Sequence, residues 1–336
     1  MEKKELPMKL NRKIIIILIY SIFILSCKLK PKQTEAEQTA TTVERPNFSA
    51  DSCYRFIQEQ VTFGARIPNT PAQAKCALYL KEKLQSYGAT TIIQQANLIV
   101  YNGQTVPCYN IIGSYNPNVE RRILLCAHWD TRPFMDQEED KAIQQQHNDG
   151  ADDGASGVAI LLEIARQLQA KNPEIGVDII FFDVEDYGQP QYNYNPNVED
   201  DYCLGTQYWC KNPHNANYQA EAGILLDMVG AKGATFPYEG ISMQYAPSFL
   251  KQVWHNATLL GYSNYFLKQQ SAAITDDHYY INTLAGIPTI DIINRTTATE
   301  SGFASHWHKQ TDNIDIISTA TLQAVGETVL YSVYEF

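Results

Sequence analysis

A doubly wound α/β domain, with a mostly parallel central sheet flanked by helices, is what this sequence predicts. Three observations carry the expectation. Apolar runs beginning near 123, 179 and 224 are continuous rather than alternating, as in strands buried on both faces. Helical patterns separate them, so the chain order is β-α-β-α-β. Finally, acids and histidines gather just after each run, where sheets of this class bind their ligands.

The elements follow in chain order. Residues 1–13 carry five Lys/Arg against two Glu, and IIIILIYSIFIL (14–25) follows. That run is shorter than the ~20 residues of a membrane span and has the form of a signal-peptide apolar region. It ends in ILSC (24–27), which resembles the lipobox of bacterial lipoproteins, where the cysteine, here Cys27, is lipidated and becomes the new N-terminus. The alternative is an ordinary signal peptide cut elsewhere; either way the protein is expected to be exported, and the first reading anchors it by lipid in the bacterial cell envelope. Residues 28–48 are polar and aperiodic, as in a flexible tether, and 49–336 form one folded domain.

Within that domain, 71–88 has a helical apolar stripe at Ala74, Ala77, Leu78 and Leu84, with Gly88 as its C-terminal stop. Strands are expected at 91–100, 108–115, 121–130, 177–186, 222–230 and 286–294. Helices are expected at 154–170, 203–211, 247–261 and 276–285. The segments 132–149 and 187–202 are long loops, which in a compact domain tend to be functional or mobile.

Composition narrows the function. The net charge is −11 and no long basic run follows the leader, which argues against a nucleic-acid partner. Six cysteines follow Cys27: Cys53, Cys76, Cys108, Cys126, Cys203 and Cys210. An exported chain permits disulfides between them, and buried free thiols fit equally well. No CxxC pair is present, so a structural zinc site is not expected.

Chemistry-bearing residues converge on one sheet edge. His128 and Asp130 end one strand, Asp183, Glu185 and Asp186 the next, and Asp227 a third. Asp149, Asp152 and Asp153 precede the helix at 155, and His306 and His308 lie beyond the last strand. Taken singly, Asp153 reads as a helix cap and His128 as a hydrogen-bonded core histidine. Taken together, so many carboxylates repel one another unless a cation neutralises them. Two or three oxygen ligands plus an imidazole suit zinc, with an open fourth position if the metal is catalytic.

CAHWDTRP, GADDGASGVA, FFDVED and LLDMVGA, followed by a late histidine, resemble the zinc aminopeptidase superfamily with co-catalytic metals. TDDHYY (275–280) and FASHWH (303–308) are similar, within it, to the glutaminyl-peptide cyclotransferases. The resemblance spans roughly residues 50–336. It implies a zinc aminopeptidase-like (phosphorylase/hydrolase-like) fold, one Zn2+ per chain held by Asp153, Asp186 and His308, and Glu185 as general acid/base. Relatives often have Glu where Asp186 stands, a departure that asks the shorter side chain to approach the metal more closely. The resemblance further implies that Asp276 binds the substrate amine and that Asp227 joins its hydrogen-bond network. Phe303, Trp307 and His128 would then contact substrate. A further pocket tryptophan of animal relatives has no equivalent, and Tyr187 or Tyr202 is expected in its place. His306 is expected to be a loop histidine without a role. The implied substrates are peptides or proteins with an N-terminal glutamine, and the chain is expected to be a monomer.

Two rival readings stand beside this one. A two-zinc aminopeptidase needs an activated water between metals ~3.5–4 Å apart, and His128 and Asp227 occupy the second-metal positions. Trp307 beside the ligand, and Asp276, favour the cyclase. The other rival is a surface lipoprotein that only binds peptides or glycans; an intact Glu185 argues against it.

Overall fold

The computed structural model describes residues 45–336. The leader, Cys27 and most of the tether lie outside the described residues. Folded structure reaches back to Arg45, which pairs with Glu327 at 3.2 Å, and to Phe48, which is buried. Arg45 and Phe48, expected to lie in the tether, therefore belong with the folded part of the chain.

The chain opens with α1 (Ala50–Val61) and α2 (Pro71–Ser86), then the hairpin strands β1 (Thr90–Ile99) and β2 (Thr105–Tyr115). It continues through β3 (Arg122–His128), a short α3 (Lys141–Gln144), α4 (Ala155–Ala170), β4 (Gly176–Phe182), α5 (Leu204–Lys211) and β5 (Ala222–Asp227). Next come β6 (Phe236–Tyr238), α6 (Gly240–Tyr245), α7 (Pro247–Leu259), β7 (Phe266–Gln270) and α8 (Asp277–Tyr280), which runs on as one wide turn to Ala285. β8 (Thr289–Ile293) and α9 (Thr319–Tyr334) complete it.

Six strands form the main sheet in the order β1-β2-β4-β3-β5-β8. β4, β3, β5 and β8 are mutually parallel, and the β1–β2 hairpin pairs antiparallel at one edge. The doubly wound expectation is met: the chain leaves β3 to β4 on one side and then returns to β5 on the other. Every residue of β3, β4, β5 and β8 is buried. Alternate residues serve the two helical layers. Ile123, Leu125, Val177, Ile179 and Ile224 face the core built with α1, α2, α4, α7 and α9. Leu124, Cys126, Ile180, Phe182 and Leu225 face Trp209, Ile281 and Ile287.

Several local expectations change. The buried stripe of α2 is Gln73, Cys76, Ala77, Leu80 and Leu84, while Ala74 and Leu78 point outward. Gln73 is drawn inside because its amide donates to Asp183 and to the Pro107 carbonyl. Helices α1 and α9 were not evident from the sequence. Gly326 and several Thr and Val residues weaken the intrinsic preference of α9. Packing overrides that, since the Phe48 ring rests where a side chain at 326 would be. All six cysteines of the described residues are free thiols.

One contact fixes the layers near the site. A Cβ on Gly157 would lie 2.4 Å from the Leu226 carbonyl and 3.0 Å from the Ala127 Cβ, so α4 touches the sheet through bare backbone. Gly157→Ala is expected to cost about 1–3 kcal/mol and to lower the thermal midpoint by several degrees. Calorimetry checks this; an unchanged midpoint would mean that α4 can lift off freely.

Candidate active site

The parallel strands deliver their polar residues to one edge because their ends are in register. His128 pairs with Phe182, so Asp183 to Asp186 emerge beside it, and Asp227 pairs with Ile293. Asp153 comes from the turn before α4, and Phe303, Trp307 and His308 from the loop after β8. Around a cavity of about 280 Å³ stand Asp153, Glu185, Asp186, Asp227, Asp276 and His308, with Phe303, Trp307, Tyr202, Met228, Ile274 and Ile293 as its less polar walls.

Asp153, Asp186 and His308 bring one ligand atom each within 4.8 Å of the others. His308 Nε2 lies 3.3 Å from Asp186 Oδ1 and 3.6 Å from Asp153 Oδ2. Tetrahedral bonds of ~2.0–2.1 Å leave ligand atoms about 3.3 Å apart, so the set has the dimensions of a zinc site. Asp186 Oδ2 is buried without a hydrogen-bond partner, as a carboxylate awaiting a cation would be. The residues fit a metal.

The support of this set was not foreseen. His308 Nδ1 sits 3.0 Å from Asp136 Oδ1. Proton donation there would leave Nε2 its lone pair, the arrangement that orients and strengthens imidazole ligands. Buried Arg132 clamps both partners, reaching Asp136 Oδ2 at 2.7 Å and the Asp186 carbonyl at 2.9 Å. It also lies 3.4 Å from Asp186 Oδ1. This clamp fixes the shorter Asp186. Burial opposes the charged form of Asp136, but His308 and Arg132 hold it well below the carboxylate range. Trp307 covers the ligand, its ring 4.0 Å from the His308 ring and 4.3 Å from Phe303, with which it stacks. Asp136 lies in the long loop 132–149; its inward turn could not be read from an acid-rich segment.

Four acids act on the backbone instead. Asp130 accepts from the Glu185 and Asp186 amides at 3.0 and 3.1 Å. Asp312 accepts from those of Asp152 and Asp153 at 2.8 and 3.2 Å. Asp152 Oδ1 accepts from Gly230 and Ala231, and its Oδ2 lies 2.8 Å from His306 Nε2. Asp183 accepts from Tyr109 and Val184 amides. His306, expected to lack a role, is buried and ties the loop of His308 to the turn of Asp153.

His128 lies beneath the cavity. Its Nε2 is 3.0 Å from Asp153 and 3.2 Å from Asp227. Burial disfavours its charged form, but Asp130, Asp153 and Asp227 outweigh this and raise its pKa well above the imidazole value. Burial pushes Asp227 up to about 8, with His128 pulling against it and Asp276 and Asp153 adding to it. Burial, reinforced by Asp186 and Asp276 and opposed by His128, holds Glu185 well above the carboxylate range. A carboxyl held above its ordinary range keeps its proton more readily than a free glutamate, as a group that both takes up and returns a proton requires. Tyr202 lines the cavity; Tyr187 does not, and packs instead 6.4 Å from Tyr101 on the hairpin side.

Residues 110–333 match peptidase family M28. A Zn-dependent exopeptidase from Parabacteroides distasonis superposes with a TM-score of 0.86 at 49% identity, covering 87% of this chain and 100% of that one. Tannerella forsythia glutaminyl cyclase superposes with a TM-score of 0.84 at 51% identity, covering 87% and 100%. The glutaminyl-peptide cyclotransferase of Bothrops jararaca is 23% identical over 302 residues, 81% of this chain and 77% of that protein.

Asp136→Asn is expected to keep the fold and weaken zinc binding roughly 10–100-fold. Competition against a chelating dye measures it. Unchanged affinity would mean that Asp136 does not orient His308.

Proposed function

The chain belongs to peptidase family M28, and from that premise we propose that it is a zinc-dependent glutaminyl-peptide cyclotransferase. It closes N-terminal glutamine of peptides or proteins to pyroglutamate with release of ammonia. The observation that carries this reading is the small cavity in which Phe303 and Trp307 wall one metal set against Glu185, Asp227 and Asp276.

In this reading Asp153, Asp186 and His308 hold one zinc per chain, which when bound supplies a Lewis acid for the γ-carbonyl oxygen of the glutamine. The nucleophile is the substrate's own α-amine. Asp276, buried at the cavity wall, accepts a hydrogen bond from that amine and aims it at the carbonyl carbon of the side-chain amide. Glu185 removes one amine proton as the new C–N bond forms. It then returns the proton to the side-chain amide nitrogen as that C–N bond breaks and ammonia leaves. Asp227 and Asp153 are held in place by the His128 ring, whose Nε2 lies within hydrogen-bond distance of both. The aromatic walls confine the glutamine side chain in attack geometry and exclude water, which favours ring closure over hydrolysis.

His128 also bears on the two-metal rival. Its imidazole joins Asp153 and Asp227 in a group whose ligand atoms lie within 4.8 Å of one another, so the residues of a second set are present. The aminopeptidase reading is the weaker one because Phe303 and Trp307 close a small cavity around the first set, with Asp276 at its wall.

The lipobox-like ILSC segment supports an exported, lipid-anchored protein of the cell envelope. Among the described residues no helix is long and apolar enough to cross a membrane.

Offering a Gln-initiated dipeptide and leucine p-nitroanilide in separate assays of one preparation tests the activity. Ammonia release from the first without p-nitroaniline release from the second is expected; p-nitroaniline release with no cyclisation would overturn the reading. Glu185→Gln is expected to retain zinc and lose at least 100-fold in turnover, and a near-normal rate would remove its acid/base role.

A further inference from the structure

The mechanism leaves one buried nucleophile, packed against the cavity residue Glu185, unused. Cys203 is fully buried at the N-terminus of α5, in a left-handed conformation with φ 56° and ψ 31°. Its amide donates to the Glu185 carbonyl at 2.8 Å, and the next amide donates to the Val184 carbonyl at 3.0 Å. The side chain is thereby pinned to the acid loop, with Sγ 3.2 Å from Glu185 Oε1. Asp276 approaches the same pair: one donor atom each from Glu185, Cys203 and Asp276 lie within 4.8 Å of one another. Asp276 Oδ2 is buried without a hydrogen-bond partner, while Oδ1 accepts from the Asp277 amide.

We propose that Cys203, Glu185 and Asp276 form a second cation site, distinct from the Asp153–Asp186–His308 set, which takes a thiophilic divalent cation such as Cd2+ or excess Zn2+ and inhibits the enzyme. One sulfur and two carboxylate oxygens select such ions over Mg2+ or Ca2+, which prefer all-oxygen surroundings. Binding exchanges the thiol proton for the metal: the S–H bond breaks, an S–metal bond forms and the proton leaves to solvent. A cation held there occupies the lone pairs of the two carboxylates that must face the substrate amine. The inhibitory consequence rests on the cyclase reading; the binding itself does not.

Cadmium titration of the zinc-loaded, full-length protein tests the site. The catalytic set contains no sulfur, so an ultraviolet thiolate-to-cadmium charge-transfer band reports cysteine coordination alone. Wild type is expected to develop the band to saturation at one added cadmium per chain as ammonia release falls. Cys203→Ser is expected to lack the band and, relative to its own uninhibited rate, to need at least tenfold more cadmium for half-inhibition. Cys210→Ser is expected to keep both responses. A band that survives in Cys203→Ser, or inhibition of wild type without a band, would overturn the proposal. Should Cys203→Ser fail to fold, cadmium NMR of wild type decides: a resonance shifted toward one-thiolate coordination supports the site, and only oxygen- and nitrogen-ligated signals overturn it. If the band behaves as expected while no ammonia is released from a Gln-dipeptide, the cyclase reading fails and the cation site stands.

Discussion

Carboxylates crowd the carboxyl edge of this sheet, and the structure depends on how their charge is neutralised. A buried carboxylate is costly unless it is hydrogen-bonded, paired or bound to a metal. The chain solves this in two ways. Asp130, Asp152, Asp183 and Asp312 accept backbone amides and so hold the turns and loops that make the site. Asp153, Asp186, Glu185, Asp227 and Asp276 remain, facing the cavity with few amides to accept from, and their charge falls mainly to cations and shared protons. A histidine and a buried arginine meet part of that need from beneath. His128 bridges Asp153 and Asp227, and Arg132 spans Asp136 and Asp186. A zinc would supply the rest.

This division explains why the metal set is rigid although it draws on three distant segments. The amide-accepting acids are bolts between loops: Asp312 fixes the Asp153 turn, Asp130 the Glu185–Asp186 pair, and Asp152 reaches His306 beside His308. Gly157 lets α4 lie directly on β5, which sets the depth at which Asp153 faces His128 and Asp227. Packing thus determines geometry, and geometry determines which carboxylates are left to do chemistry.

Much of this was legible in the sequence because strand ends and apolar runs carry strong patterns. The four parallel strands, α4, α5 and α7 follow directly from continuous or periodic apolar runs, and the acids that follow those runs mark the sheet edge. Residues whose role depends on a partner far along the chain were not legible. Asp136 looks like one more acid in a charged loop until His308 meets it, 172 residues away. Arg132, Asp312 and His306 are of the same kind. The stripe of α2 was misread because a buried Gln73, satisfied by Asp183, looks polar in a linear reading. Tyr187 and Tyr202 flank the same loop, and only the chain path selects Tyr202 for the cavity.

The central claim is that one zinc, held by Asp153, Asp186 and His308, organises a cyclisation site. Anomalous diffraction at the zinc edge, on crystals grown without added metal, tests it most directly. The account predicts a single fully occupied peak within bonding distance of those three side chains. A second peak of equal height between His128 and Asp227, or a main peak away from His308, would contradict it.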